Sequence, residues 1–142
     1  MVANFMDESK TELIRDWLTR ADHDLRSAQA LAALADPLLD TAIYHCQQAA
    51  EKSVKAWLQA NDVVIPKTHD IEALIELAAA SNPELLRHSK IGESLTPYVS
   101  AFRYPGGFEE PMPSREEFDT ALKNAQTIFY FIVNLLPKEA RP

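Results

Sequence analysis

Glycine is scarce in this chain of 142 residues: only Gly92, Gly106 and Gly107 occur. No Asn-Gly or Asp-Gly pair and no sustained apolar/polar alternation is present, so hairpins and sheets lack their sequence signals. Cysteine is scarcer still. Cys46 stands alone, which excludes an internal disulfide and a Cys-rich zinc site; its helical setting suits a small buried thiol in a reducing cytosol. Basic residues are outnumbered, 14 Lys and Arg against 21 Asp and Glu, for a net charge of −7. That balance argues against a broad nucleic-acid footprint while leaving room for a local basic cluster. Long apolar runs are missing too. The longest uncharged stretch, Asn124 to Pro137, carries Asn124, Gln126 and Asn134 and is shorter than the roughly 20 apolar residues of a membrane span. The opening MVANFMDESK has no long apolar core, so no signal peptide is expected. The expectation is a cytoplasmic protein with no membrane association.

What is present is an ordinary globular composition, 46% hydrophobic and 25% charged, consistent with a single domain over residues 1–142 and a core from about 9 to 137. Ser9-Lys10-Thr11-Glu12 fits a capping box, followed at helical spacing by Ile14, Trp17, Leu18, Ala21, Leu25, Ala28 and Ala32 up to Ala35-Asp36-Pro37. A second helix is expected from Asp40 to Ala60, with Ile43, Cys46, Ala50, Val54 and Trp57 inward. After a connector, Thr68 is placed to cap a helix from Asp70 to Ala80, and Asn82-Pro83 reads as a cap with proline at the first position. Residues 84–103 read as two short helices or one kinked at Pro97, and Tyr104 to Pro113 as a loop holding Gly106-Gly107. Ser114-Arg115-Glu116-Glu117 opens a last helix ending at Pro137, with Phe118, Ala121, Leu122, Ala125, Phe129, Ile132, Val133 and Leu136 as its core stripe. Ile128, Phe131 and Leu135 add an apolar flank, which suits either the central member of the bundle or, preferably, the seam of a homodimer. The expected fold is all-α, an up-and-down bundle of four main helices plus one short helix.

On the second helix His45, Gln48, Lys52, Lys55 and Gln59 share a polar side, read most simply as a solvated face and more sharply as a wall toward a ligand. Glu51 lies between the faces and is placed to pair with a cation such as Arg103. His23, His45, His69 and His88 are scattered, with no Glu-x-x-His pair, His-Glu-x-x-His, Walker loop, dinucleotide fingerprint or Gly-x-Ser-x-Gly elbow. No metal site, cofactor or catalytic residue is therefore assigned. His69, beside Lys67 and Asp70 at a helix start, has the best polar company of the four; the plainer reading is a capping-region histidine. Arg103-Tyr104-Pro105-Gly106-Gly107 is the most unusual string; its arginine can serve helix-terminal carbonyls, a carboxylate or a phosphate.

Taken in order, Ala21-Asp22-His23-Asp24-Leu25, His45-Cys46-Gln47-Gln48-Ala49-Ala50-Glu51-Lys52 with Lys55, Thr68-His69-Asp70 and Arg103-Tyr104-Pro105 resemble the HEPN family (higher eukaryotes and prokaryotes nucleotide-binding domain) over about residues 12–136. The resemblance implies a helical bundle, commonly dimeric, often found beside a minimal nucleotidyltransferase in a toxin–antitoxin-like pair or fused to one. Many members are metal-independent ribonucleases whose motif is an arginine, four to six residues, and a histidine. Here no histidine follows Arg103 through Pro111, and Arg15, Arg20 and Arg87 stand at the wrong spacing from His23 and His88.

The reading that follows is a non-catalytic HEPN-type homodimer that engages a nucleotidyltransferase partner and contributes to a nucleotide or nucleic-acid site. Gln48, Lys52, Lys55, His69, Arg103 and Tyr104 are its ligand or partner contacts. The alternatives are a ribonuclease with a degenerate site, pairing Arg103 with His69 or His45, and a purely structural adaptor.

Overall fold

The computed structural model describes residues 7–105 and 112–142; the expected Gly106-Gly107 turn lies outside them. Five α-helices follow in order: α1 (Glu8–Ala32), α2 (Leu39–Ala60), α3 (Ile71–Ala78), α4 (Ser89–Leu95) and α5 (Arg115–Leu135). Single 3₁₀ segments at Pro83–His88 and Thr96–Val99 flank α4, and a third, Lys138–Ala140, closes the chain. The fold is all-α, with no strand among the described residues. No described helix is long and apolar enough to cross a membrane.

Local chemistry sets the helix ends. At α1 the cap is Asp7 rather than Ser9, its carboxylate accepting from the Lys10 amide at 2.8 Å. A carboxylate at this end also meets the positive pole of the helix, an advantage the serine lacks. Asp70, not Thr68, caps α3 by accepting from the Ala73 amide, while the Thr68 hydroxyl accepts from the Asp70 amide one step earlier. Asn82 and Ser114 cap as expected. At the other end of α1, Arg115 donates to the Ala32 carbonyl at 2.7 Å, tying α5 to a helix end with unsatisfied acceptors.

The central element is α2, not α5. It packs most extensively on α1, then on α5, and also touches α3 and α4. Twelve of its side chains are buried, including the small Ala42, Ala49, Ala50, Ser53 and Ala56, which admit neighbours at close range on more than the one face expected. Cys46 is fully buried among them, and burial pushes its thiol up to about 12, an inert packing group.

The apolar flank of α5 is largely covered within the chain. Ile128 is buried, Phe131 packs edge-on against His88 with ring centres 4.5 Å apart, and Leu135 is half-buried. Its coverage removes the argument that this flank needs a second copy; only Tyr130 stands well out.

Gly92 lies where α4 crosses α3: a Cβ there would sit 3.0 Å from both Ile71 Cγ2 and Ile75 Cδ1. Gly92→Val is expected to lower stability by about 1–3 kcal/mol through overpacking, read by chemical denaturation. His88 is buried with its Nε2 lacking a hydrogen-bond partner. Burial, and then the Arg87 charge, hold its pKa below the ordinary 6.5. The folded state thus resists protonation that the unfolded chain accepts, so stability is expected to fall as pH drops through 6.5 toward that lowered value. Thermal melts across this window check it, and His88→Phe should flatten the slope.

Candidate functional site

Two carboxylates interrupt the apolar faces of α1 and α2, and each gathers cations. Asp24 falls three residues after Ala21 and four before Ala28, inside the α1 core stripe, and is buried. Its Oδ1 accepts from His45 Nδ1 at 2.7 Å and its Oδ2 from Lys52 Nζ at 2.6 Å. Glu51, also buried, accepts from Lys55 Nζ at 2.7 Å, His69 Nδ1 at 2.9 Å and Gln47 Nε2 at 3.0 Å. Burial pushes the Glu51 carboxyl up, but the hydrogen bonds from Lys55, Gln47 and His69 outweigh it, holding the pKa below the ordinary 4.5. Gln48 donates to Gln47 Oε1 at 2.7 Å, extending this second network toward the surface.

The polar side of α2 is therefore divided rather than solvated. Lys55 is buried and lies over the Trp17 ring; Lys52 is half-buried on Asp24. Of the expected contact residues, Gln48, Lys55 and His69 meet through Gln47 and Glu51, whereas Lys52 belongs to the Asp24 pair. Glu51 does not pair with Arg103, the partner suggested by residue type, because α3 brings His69 to it and Lys55 stands one turn away on its own helix.

Arg103 lies elsewhere. Its guanidinium sits over the Tyr44 ring at 4.2 Å, faces Tyr104 at 5.7 Å, and donates to the Val99 carbonyl at 3.1 Å. Asp40, Thr41, Tyr44, His45 and Arg103 line an open cleft of ≈ 270 Å³. A carboxylate only accepts, so Asp24 fixes the Nδ1–H form of His45 and leaves Nε2 available to the cleft. Arg103 forms no ion pair among the described residues. The cleft thus combines a planar cation, an oriented imidazole and a hydroxyl with the Asp40 carboxylate, whose buried Oδ1 has no hydrogen-bond partner among the described residues, and the exposed Tyr104 ring lies against the arginine. The arginine suits an anion and the Asp40 carboxylate a hydroxyl donor, as in a phosphate attached to a hydroxyl-bearing group. Among the described residues no group of His, Cys, Asp and Glu is placed to hold a metal.

Sequence reading missed Asp24, Gln47, Tyr44 and Asp40 as members of these clusters. The signal for two of them was available: Asp24 stands at helical spacing from the buried Ala21 and Ala28, and Gln47 from the buried Ile43 and Ala50.

This bundle and its sequence define the chain as a member of the HEPN domain family, whose profile matches residues 14–136. A solved structure of TT1696 from Thermus thermophilus is similar, with 28% identity and a TM-score of 0.66 over 88% of this chain and 99% of that one. ST0689, an archaeal HEPN homologue of known structure, shares the fold at 24% identity and a TM-score of 0.69, covering 86% of this chain and 96% of its own. No curated protein matches this chain.

Proposed function

We propose that this chain is a non-cleaving HEPN domain that binds the phosphate of a nucleotide or nucleic-acid end in the Arg103 cleft, as a homodimer that engages a minimal nucleotidyltransferase. The observation that carries the binding role is the Arg103 guanidinium, without an ion pair among the described residues and stacked at 4.2 Å on Tyr44 beside His45. A stacked guanidinium keeps its N–H fork in one plane, ready for two phosphate oxygens. His45 Nε2 meets a hydroxyl when the ring is neutral and donates to phosphate when it is charged. Lys52 sits behind His45 on the shared Asp24 carboxylate. Gln48, Lys55 and His69 lie in the Glu51 network and serve to order the bundle. The dimer and the nucleotidyltransferase partner rest on family membership.

A calorimetric titration of the protein with ATP tests the binding role: saturable heat is expected, and none, with or without partner, reduces the protein to an adaptor. Equilibrium sedimentation tests the dimer; a monomer at high micromolar concentration rejects it. A second reading is favoured by one observation. His45, held on Nδ1 by a buried carboxylate, lines the same cleft as Arg103, so a proton-transfer group and a phosphate-binding cation meet without the Arg-x4-6-His spacing. Metal-free cleavage of RNA that is lost in both Arg103→Ala and His45→Ala would establish that reading. Intact RNA across neutral pH removes it.

A further inference from the structure

Arg103 reaches the cleft from a short segment that carries an unusual backbone. Phe102 has φ +65°, in the left-handed region that a bulky side chain rarely occupies without external constraint. The turn before it is built by hydrogen bonds: the Ala101 amide donates to the Pro97 carbonyl at 2.8 Å and the Arg103 amide to the Ser100 carbonyl at 3.2 Å. A constraint of the needed kind is present. The Phe102 ring stacks on Tyr98, with planes 18° apart and ring centres 6.2 Å apart. Tyr98 Oη donates to Glu117 Oε2 at 2.6 Å, and the Glu117 backbone amide is itself held by the Ser114 cap in the first turn of α5. Burial, followed by that same carboxylate, raises the Tyr98 phenol well above its ordinary 10.0, so it stays a donor throughout the working pH range.

The geometry points to Tyr98, Phe102 and Glu117 as the positioning residues of the cleft: α5 holds Tyr98, Tyr98 holds the left-handed Phe102, and the turn at Phe102 lays Arg103 on Tyr44. The device deepens the phosphate-binding reading, on which its relevance to ligand rests, and it explains how an arginine at the edge of an irregular segment keeps a fixed plane. Tyr98→Phe removes one hydroxyl and keeps the ring, so it releases the tie to α5 without opening the core.

The test follows the Arg103 Hε resonance by NMR, because the Tyr44 ring shifts it upfield only while the two stack, together with calorimetric titration of ATP. In Tyr98→Phe the Hε signal is expected to move toward its free-arginine position and ATP affinity to fall roughly three- to tenfold, the worth of one hydrogen bond. Glu117→Gln, whose amide oxygen still accepts from Tyr98, is expected to keep both near those of the unaltered protein. An unchanged Hε signal and an unchanged affinity in Tyr98→Phe overturn the positioning role while leaving the binding role intact. If ATP fails to bind the unaltered protein while the Hε signal still collapses in Tyr98→Phe, positioning stands and the phosphate reading fails.

Discussion

Glu51→Ala is expected to destabilise the protein by about 3–5 kcal/mol, the cost of stranding a buried cation after its partner is removed. Lys55 would lose its carboxylate at a site where the lysine side chain is only 11% exposed, and His69 and Gln47 would lose a shared acceptor. The loss is specific to removing one partner: Glu51→Leu combined with Lys55→Met should recover most of it, because an apolar pair of similar size has no charge left to solvate. Urea denaturation of the three proteins measures both effects. The same carboxylate gives a pH signature. Its folded pKa lies below the ordinary 4.5, so its stabilising contribution is complete above 4.5 and disappears as pH falls through the lowered folded value. A melt series from pH 6 downward should show that fall in the unaltered protein and a shallower one in Glu51→Gln. His88, with a pKa lowered from 6.5, adds its own loss of stability as the pH falls.

Arg103→Ala is the second large effect. Stability should change little, since the side chain is exposed and its contacts among the described residues are the Tyr44 and Tyr104 rings and one carbonyl. Affinity for ATP should fall about ten- to a hundredfold, the usual worth of hydrogen bonds to a charged group. Arg103→Lys is expected to recover little, because an ammonium has neither the planar fork nor the stacking face. A cleft mutant that loses binding without losing stability separates this site from the Glu51 network, where stability and any binding effect should change together.

Local signals read well from the residues. The Ser114 and Asn82 caps, the proline at the start of the Pro83–His88 turn and the breaks around Pro97 all depend on side chains within a few positions of each other. Even there, competition between neighbours decided the outcome: Asp7 and Asp70 displaced Ser9 and Thr68 because a carboxylate caps and also answers the helix dipole. Helical periodicity placed Lys52, Lys55 and Gln48 at one angle of α2, but an angle does not reveal what stands opposite. Lys55 is buried against Trp17 and Glu51, and Lys52 is held because α1 sets Asp24 before it. Similarly, the greasy flank of α5 looked like a seam, yet Ile128 is buried within the chain and His88, distant in sequence, packs on Phe131. The pairing of Arg103 with Tyr44 was beyond sequence reading for the same reason: 59 positions of chain return it to the start of α2.

A crystal structure of the protein with ADP would bear on the phosphate site most directly. The expected result places phosphate oxygens within hydrogen-bond reach of the Arg103 guanidinium and His45 Nε2, with Tyr44 still stacked beneath the arginine. ADP bound away from residues 40–45 and 103, or a saturated crystal with the cleft holding only water, would contradict it.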